Sequence, residues 1–133
     1  MNSKKIPKLF LSLIAIIILG KIAFAQDESH LIGDWKGESI CQVKNSPCHD
    51  EMVIYHISKG KEANAFLVNA DKIVNGKPEN MGPLDFTYEK ENNAFVCTNK
   101  NGTFRFIKTG NKMEGTLITP DKIVFRRISL VKI

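Results

Sequence analysis

Short stretches rich in aromatic and β-branched residues follow one another along most of this chain, separated by turn signals. After residue 26 no long segment places apolar residues at helical spacing. The pattern predicts strands over 35–43, 51–58, 63–70, 84–89, 94–99, 103–108, 112–119 and 123–131. The punctuation between them is Lys59-Gly60-Lys61, Asn75-Gly76, Gly82-Pro83, Glu91-Asn92-Asn93, Asn101-Gly102, Gly110-Asn111 and Pro120-Asp121. Residues 71–80 read as a connecting loop, with Asn75-Gly76 as a turn and Pro78 as a strand breaker. Short connections favour antiparallel neighbours. Eight such strands in sequence predict an all-β fold, an eight-stranded antiparallel up-and-down barrel whose closure removes unpaired edges. A two-sheet sandwich is the alternative arrangement.

The beginning of the chain has a different character. Lys4, Lys5 and Lys8 precede an apolar run over 9–19 broken only by Ser12, and Ala23-Phe24-Ala25 follows. This is the form of a cleavable export signal over 1–25, which leaves a single domain over 26–133 in the periplasm or outside the cell. The run is short against the ~20 residues that span a bilayer, so no stable transmembrane segment is expected after cleavage. Lys21 just beyond the run keeps a retained anchor as the alternative, and no cysteine follows the cleavage site to carry a lipid.

The export reading changes the charge argument. The whole chain has 19 Lys and Arg against 14 Asp and Glu, a net of +5. Lys4, Lys5, Lys8 and Lys21, and none of the acids, precede Gln26, so the exported part carries a net of +1. A domain-wide basic field for nucleic acid is therefore not expected. Export also makes disulfides expected. Cys41 and Cys48 flank the turn-forming Lys44-Asn45-Ser46-Pro47 and are the favoured pair, with Cys97 left as a small buried apolar residue. Pairing of Cys97 with either of the others is the competing arrangement.

Alternation gives a provisional interior: Trp35, Gly37, Ser39 and Cys41; Leu84, Phe86 and Tyr88; Phe95 and Cys97; Phe104 and Phe106; Met113, Gly115 and Leu117. Two strands stay ambiguous. Val53, Tyr55 and Ile57 compete with Met52, Ile54 and His56, and Phe125 and Arg127 compete with Val124, Arg126 and Ile128.

Gly33-Asp34-Trp35 at the opening of the first strand, with Arg126-Arg127 in the last, resembles the calycin superfamily, the lipocalins and their relatives. The resemblance implies that Trp35 packs at the closed end of the barrel. It also implies that Arg126 or Arg127 lies over the tryptophan ring as a cation–π partner. Trp35-x-Gly37-x-Ser39-x-Cys41 with Cys48-x-Asp50-Glu51 is similar to small exported bacterial proteins of lipocalin-like type. The chain is shorter than a typical lipocalin and has no clear C-terminal helix.

Candidate chemistry is sparse. Cys48-His49-Asp50-Glu51 is the densest group of ligand-type residues, but neighbours in an extended strand point to opposite faces and an oxidised cysteine is no thiolate, so no metal site is expected. His30, His49 and His56 have no metal-binding spacing, no Gly-x-Ser-x-Gly occurs, and Cys97 has no assignable base. Nothing specifies an enzyme, a catalytic residue or a cofactor. Asn101-Gly102-Thr103 matches a glycosylation sequon and reads as a hairpin turn. The aromatic residues are the functional lead: a barrel of this size is either filled by side chains or holds one small ligand. If a pocket exists, Trp35, Tyr55, Phe86, Tyr88, Phe104, Phe106 and Arg127 are expected to line it, for a small hydrophobic or amphipathic ligand. The alternative is a protein-interaction module with an envelope protein partner, such as an assembly factor or an exported protease inhibitor working through its N-terminal lead over 26–31.

Overall fold

A computed structural model of the chain describes residues 28–133. The export signal over 1–25 and the cleavage point at Gln26 lie outside these residues. Residues 28–31 make a turn in which the Leu31 N–H is donated to the Glu28 carbonyl at 3.2 Å.

Ile32–Ile133 is one compact unit. Its strands are β1 (Gly33–Cys41), β2 (Glu51–Lys59), β3 (Ala65–Val74), β4 (Lys77–Glu89), β5 (Ala94–Asn99), β6 (Gly102–Thr109), β7 (Lys112–Ile118) and β8 (Val124–Lys132). Each pairs antiparallel with the next, and β8 returns to β1, so the fold is the closed eight-stranded up-and-down barrel and not the sandwich. The closing seam sets Trp35 opposite Lys132, Gly37 opposite Leu130, Ser39 opposite Ile128 and Cys41 opposite Arg126.

One stretch departs from the sequence reading. Residues 71–80 are not a loop. β3 continues to Val74, β4 starts at Lys77, and Asn75-Gly76 is the two-residue turn of a long hairpin. Both turn residues have positive φ, 51° and 77°, as a type I′ turn requires. Pro78 does not break the strand because it sits on an edge. β4 pairs with β5 only through Thr87, Tyr88 and Glu89, so on that side Pro78 owes no neighbour an N–H. A bulge between Asn69 and Asp71 then bends this hairpin, with Gly82 at φ 90° on the opposite strand.

The pleat resolves both ambiguous strands. Val53, Tyr55 and Ile57 are buried inside, while Met52 and His56 face out. On β8 the buried Ile128 and Leu130 place Arg126 on the inward side and leave Arg127 exposed on the outside. One end of the barrel is solid. Trp35, Phe66, Phe86, Phe95, Phe106, Met113 and Leu130 are fully buried there. Phe86 stacks on Phe95 with centroids 4.4 Å apart, and Phe66 meets Phe95 edge-on at 5.7 Å. Trp35 belongs to this end. The cation over its ring is neither Arg126 nor Arg127 but Lys132, whose Nζ lies 5.8 Å from the ring centroid. The register explains the correction: Arg126 pairs with Cys41, three residue pairs farther along the inner face than Trp35.

Candidate functional site

The other end of the barrel is open, and its rim begins with the Cys41–Cys48 disulfide, whose Cα atoms are 5.9 Å apart. Cys97 is free and buried on the inner face of β5. Burial holds its thiol above the ordinary cysteine range, with Asp85 adding to the effect, so it is not a thiolate.

The disulfide has a consequence beyond its loop. It closes the loop between β1 and β2, and the Asp50 carboxylate accepts the Cys41 N–H at 2.9 Å. The His49 carbonyl is thereby presented to Arg126, whose Nη1 donates to it at 3.0 Å. The same nitrogen reaches the Ser39 carbonyl at 3.2 Å and the Ser39 hydroxyl at 3.3 Å. Arg126 Nη2 lies 3.6 Å from the Glu51 carboxylate. The dense Cys48-His49-Asp50-Glu51 cluster is thus a mount for one arginine, each residue serving by a different group. Among the described residues, no group of three or more His, Cys, Asp or Glu side chains is placed to hold a metal ion. Closing so short a loop stabilises the fold by about 2.5 kcal/mol in the chain-entropy treatment. The double variant Cys41→Ser/Cys48→Ser should lose about that much in urea unfolding and loosen the Arg126 mount.

Inside the rim is a cavity of about 180 Å³. Arg126, Ser39, Glu51 and Tyr55 bring polar atoms to it; Val53, Leu84, Phe104, Leu117 and Ile128 form its apolar wall. Met81 and Gly82, from the bulged part of β4, line the side next to the hairpin. The Tyr55 hydroxyl is the unusual member. Tyr55 is 3 % exposed, and among the described residues its hydroxyl has no hydrogen-bond partner. Burial raises its pKa far above the ordinary phenol value, against the lowering effect of Arg126, so it stays a neutral donor.

The structure distributes the expected pocket residues unevenly. Tyr55 and Phe104 line the cavity. Trp35, Phe86 and Phe106 are fully buried in the aromatic-packed end and do not line this cavity. Tyr88 is near that end too, and its hydroxyl is already used, donated to Asn93 Oδ1 at 2.7 Å. Arg127 is on the outer face, in a shallow concavity of about 470 Å³ with Glu38, Arg105 and Glu114. That concavity is larger than the mouth cavity and lies on the outer face of the sheet. Arg126, Ser39 and Glu51 also line the cavity, although no sequence motif marks them as pocket residues. The apolar Ile128 and Leu130 in step with Arg126 are the signal that could have found the arginine.

No protein-family model matches the chain, and no curated protein is significantly similar to it. The barrel is compatible with a calycin-like fold. Among the described residues no helix is long and apolar enough to cross a membrane.

Proposed function

We propose that this chain is an exported, calycin-like barrel that binds a small amphipathic molecule at its open end. The observation that carries the reading is the Tyr55 side chain, which lines the cavity beside Arg126 and whose hydroxyl makes no hydrogen bond among the described residues. A head group with acceptor oxygens takes a hydrogen bond from Tyr55 and lies beside the positive charge of Arg126. A short apolar tail lies against Leu84, Phe104 and Leu117. Size sets the class. An apolar cavity of ~150 Å³ accommodates benzene, so about 180 Å³ suits a molecule of similar bulk. Pockets for drug-sized ligands run ~300–1,000 Å³, which rules against a whole lipid held inside. The disulfide supports a location outside the reducing cytoplasm, as does the signal-like sequence over 1–25.

The test is a titration of isotope-labelled, disulfide-bonded protein with hexanoate and hexanamide, followed by amide chemical shifts. Saturable shifts should gather at Tyr55, Leu84, Phe104 and Arg126. Tyr55→Phe should weaken binding about fivefold, the worth of one hydrogen bond of ~1 kcal/mol. Shifts that never saturate, or that gather on the outer face around Arg127, would overturn the reading.

A further inference from the structure

The outer face of the barrel carries a second arrangement of polar groups, on β1, β2 and β3. His56 on β2 stands opposite Asp34 of β1 and beside the β3 edge that bears Asp71. Its Nδ1 lies 2.8 Å from Asp34 Oδ1 and its Nε2 lies 2.8 Å from Asp71 Oδ2. A neutral imidazole has one N–H and can donate to only one of these carboxylates. The imidazolium, with an N–H at each ring nitrogen, donates to both carboxylates at once. The arrangement continues toward the cavity. Asp71 Oδ1 accepts from Asn80 Nδ2 at 3.0 Å, and Asn80 Oδ1 accepts the Gly82 N–H at 2.8 Å. Gly82 and its neighbour Met81 line the ligand cavity, and Asp71 sits at the bulge that sets their path.

The charges around His56 favour its cationic form. From β1 it meets Asp34, with Lys36 two residues farther along that strand; from β3 it meets Asp71. On its own strand the outward neighbours Ile54 and Ser58 are uncharged. Beyond Asp71, Lys72 and Glu79 pair with each other at 3.8 Å across the β3–β4 hairpin. From the β8 side, the Ile133 N–H is donated to the Asp34 carbonyl at 3.0 Å.

We infer that His56 is a proton-operated latch on the ligand site: as the imidazolium it pins Asp71 and, through Asn80, the 80–82 segment that walls the mouth, and loss of its proton releases that wall and the ligand. The inference rests on the mouth cavity being the binding site. The hydrogen bonds to Asp34 and Asp71 raise the His56 pKa, and the bonds from His56 and Asn80 lower that of Asp71. The signs follow. The His56 contribution is fully present below the ordinary imidazole value of about 6.5 and is lost as pH rises through the raised value. The Asp71 contribution is fully present above the ordinary carboxyl value of about 3.9 and is lost as pH falls through the lowered one. The latch is therefore complete between those two ordinary values and opens on the alkaline side.

The experiment follows two signals on the full disulfide-bonded chain between pH 5 and 9: the His56 ring titration by NMR, and Gly82 amide exchange corrected for its intrinsic pH dependence. Hexanoate dissociation is read in parallel. Gly82 protection should fall, and hexanoate dissociation rise, by about fivefold or more across the His56 titration. Asn80→Ala should leave His56 titrating above the ordinary range while Gly82 exchange loses its pH step. Asp71→Asn should lower the His56 pKa. Constant Gly82 protection through the His56 titration, or a neutral His56 at pH 6, would overturn the latch. If Gly82 follows His56 but hexanoate does not bind at any pH, the latch stands and the ligand site is the part that fails. If hexanoate binds with constant Gly82 protection, the site stands and the latch fails.

Discussion

Gly37→Val should leave the chain unable to close its barrel. Gly37 is on the β1–β8 seam, and a Cβ there would run into the carbonyl carbon and oxygen of Ser129 and press on the Leu130 Cα. Those are backbone atoms. No rotamer change can move them, so relief requires β1 and β8 to separate. Overpacking in a core costs about 1–3 kcal/mol when side chains can yield. Here they cannot, and the loss should exceed that range, a large part of the ~5–15 kcal/mol that holds a domain of this size. Urea unfolding with near-UV circular dichroism reads it. The expected variant has lost fixed aromatic signals or unfolds at much lower urea. A variant with an unchanged midpoint would mean that β1 and β8 do not approach as closely as the register at Gly37 and Leu130 demands.

Phe86→Ala should cost about 3–5 kcal/mol, the usual range for removing a buried phenylalanine ring. Phe86 is 1 % exposed and is the hub of the solid end, stacked on Phe95 at 4.4 Å and 6.1 Å from both Phe104 and Phe106. Its neighbours are held by the strands on either side, so the space it leaves cannot collapse fully. Phe104 also lines the ligand cavity, which makes the variant informative twice. The hole should join the mouth cavity from below and admit a longer tail. Octanoate should then gain affinity relative to hexanoate. A loss below about 1 kcal/mol would show that the closed end is not packed around this ring.

What the chain discloses depends on how far apart the deciding residues are. The strand over 94–99 can be read to the residue, because its ends are marked by Asn92-Asn93 and by Asn101-Gly102. Cys41 and Cys48 can be paired because one short loop brings them together. Pro78 misleads for the opposite reason. Whether a proline breaks a strand depends on which neighbour needs its N–H, and the short β4–β5 ladder that frees it is a tertiary fact. The cation over Trp35 is missed in the same way. Lys132 reaches the ring through a register between the two ends of the domain, which no local pattern encodes. Tyr55 could be named as a polar anchor, but its lack of a partner appears only once the strands around it are in place.

The rim shows how stability and site share the same residues. Asp50, His49 and the disulfide each add to the order of the loop over 42–50, and each also helps hold Arg126 where it faces the cavity. Reducing the disulfide should therefore weaken hexanoate binding as well as the fold. The latch at His56 acts on the opposite wall, so its effect should persist in the reduced protein wherever that protein stays folded.

The most direct measurement is a crystal structure of the disulfide-bonded domain grown with hexanoate. The account predicts a carboxylate within hydrogen-bond distance of Tyr55 Oη beside Arg126, with the tail against Leu84 and Phe104. A Tyr55 hydroxyl bonded to a protein acceptor, with Phe104 or Met81 filling the mouth and no probe in it, would contradict it.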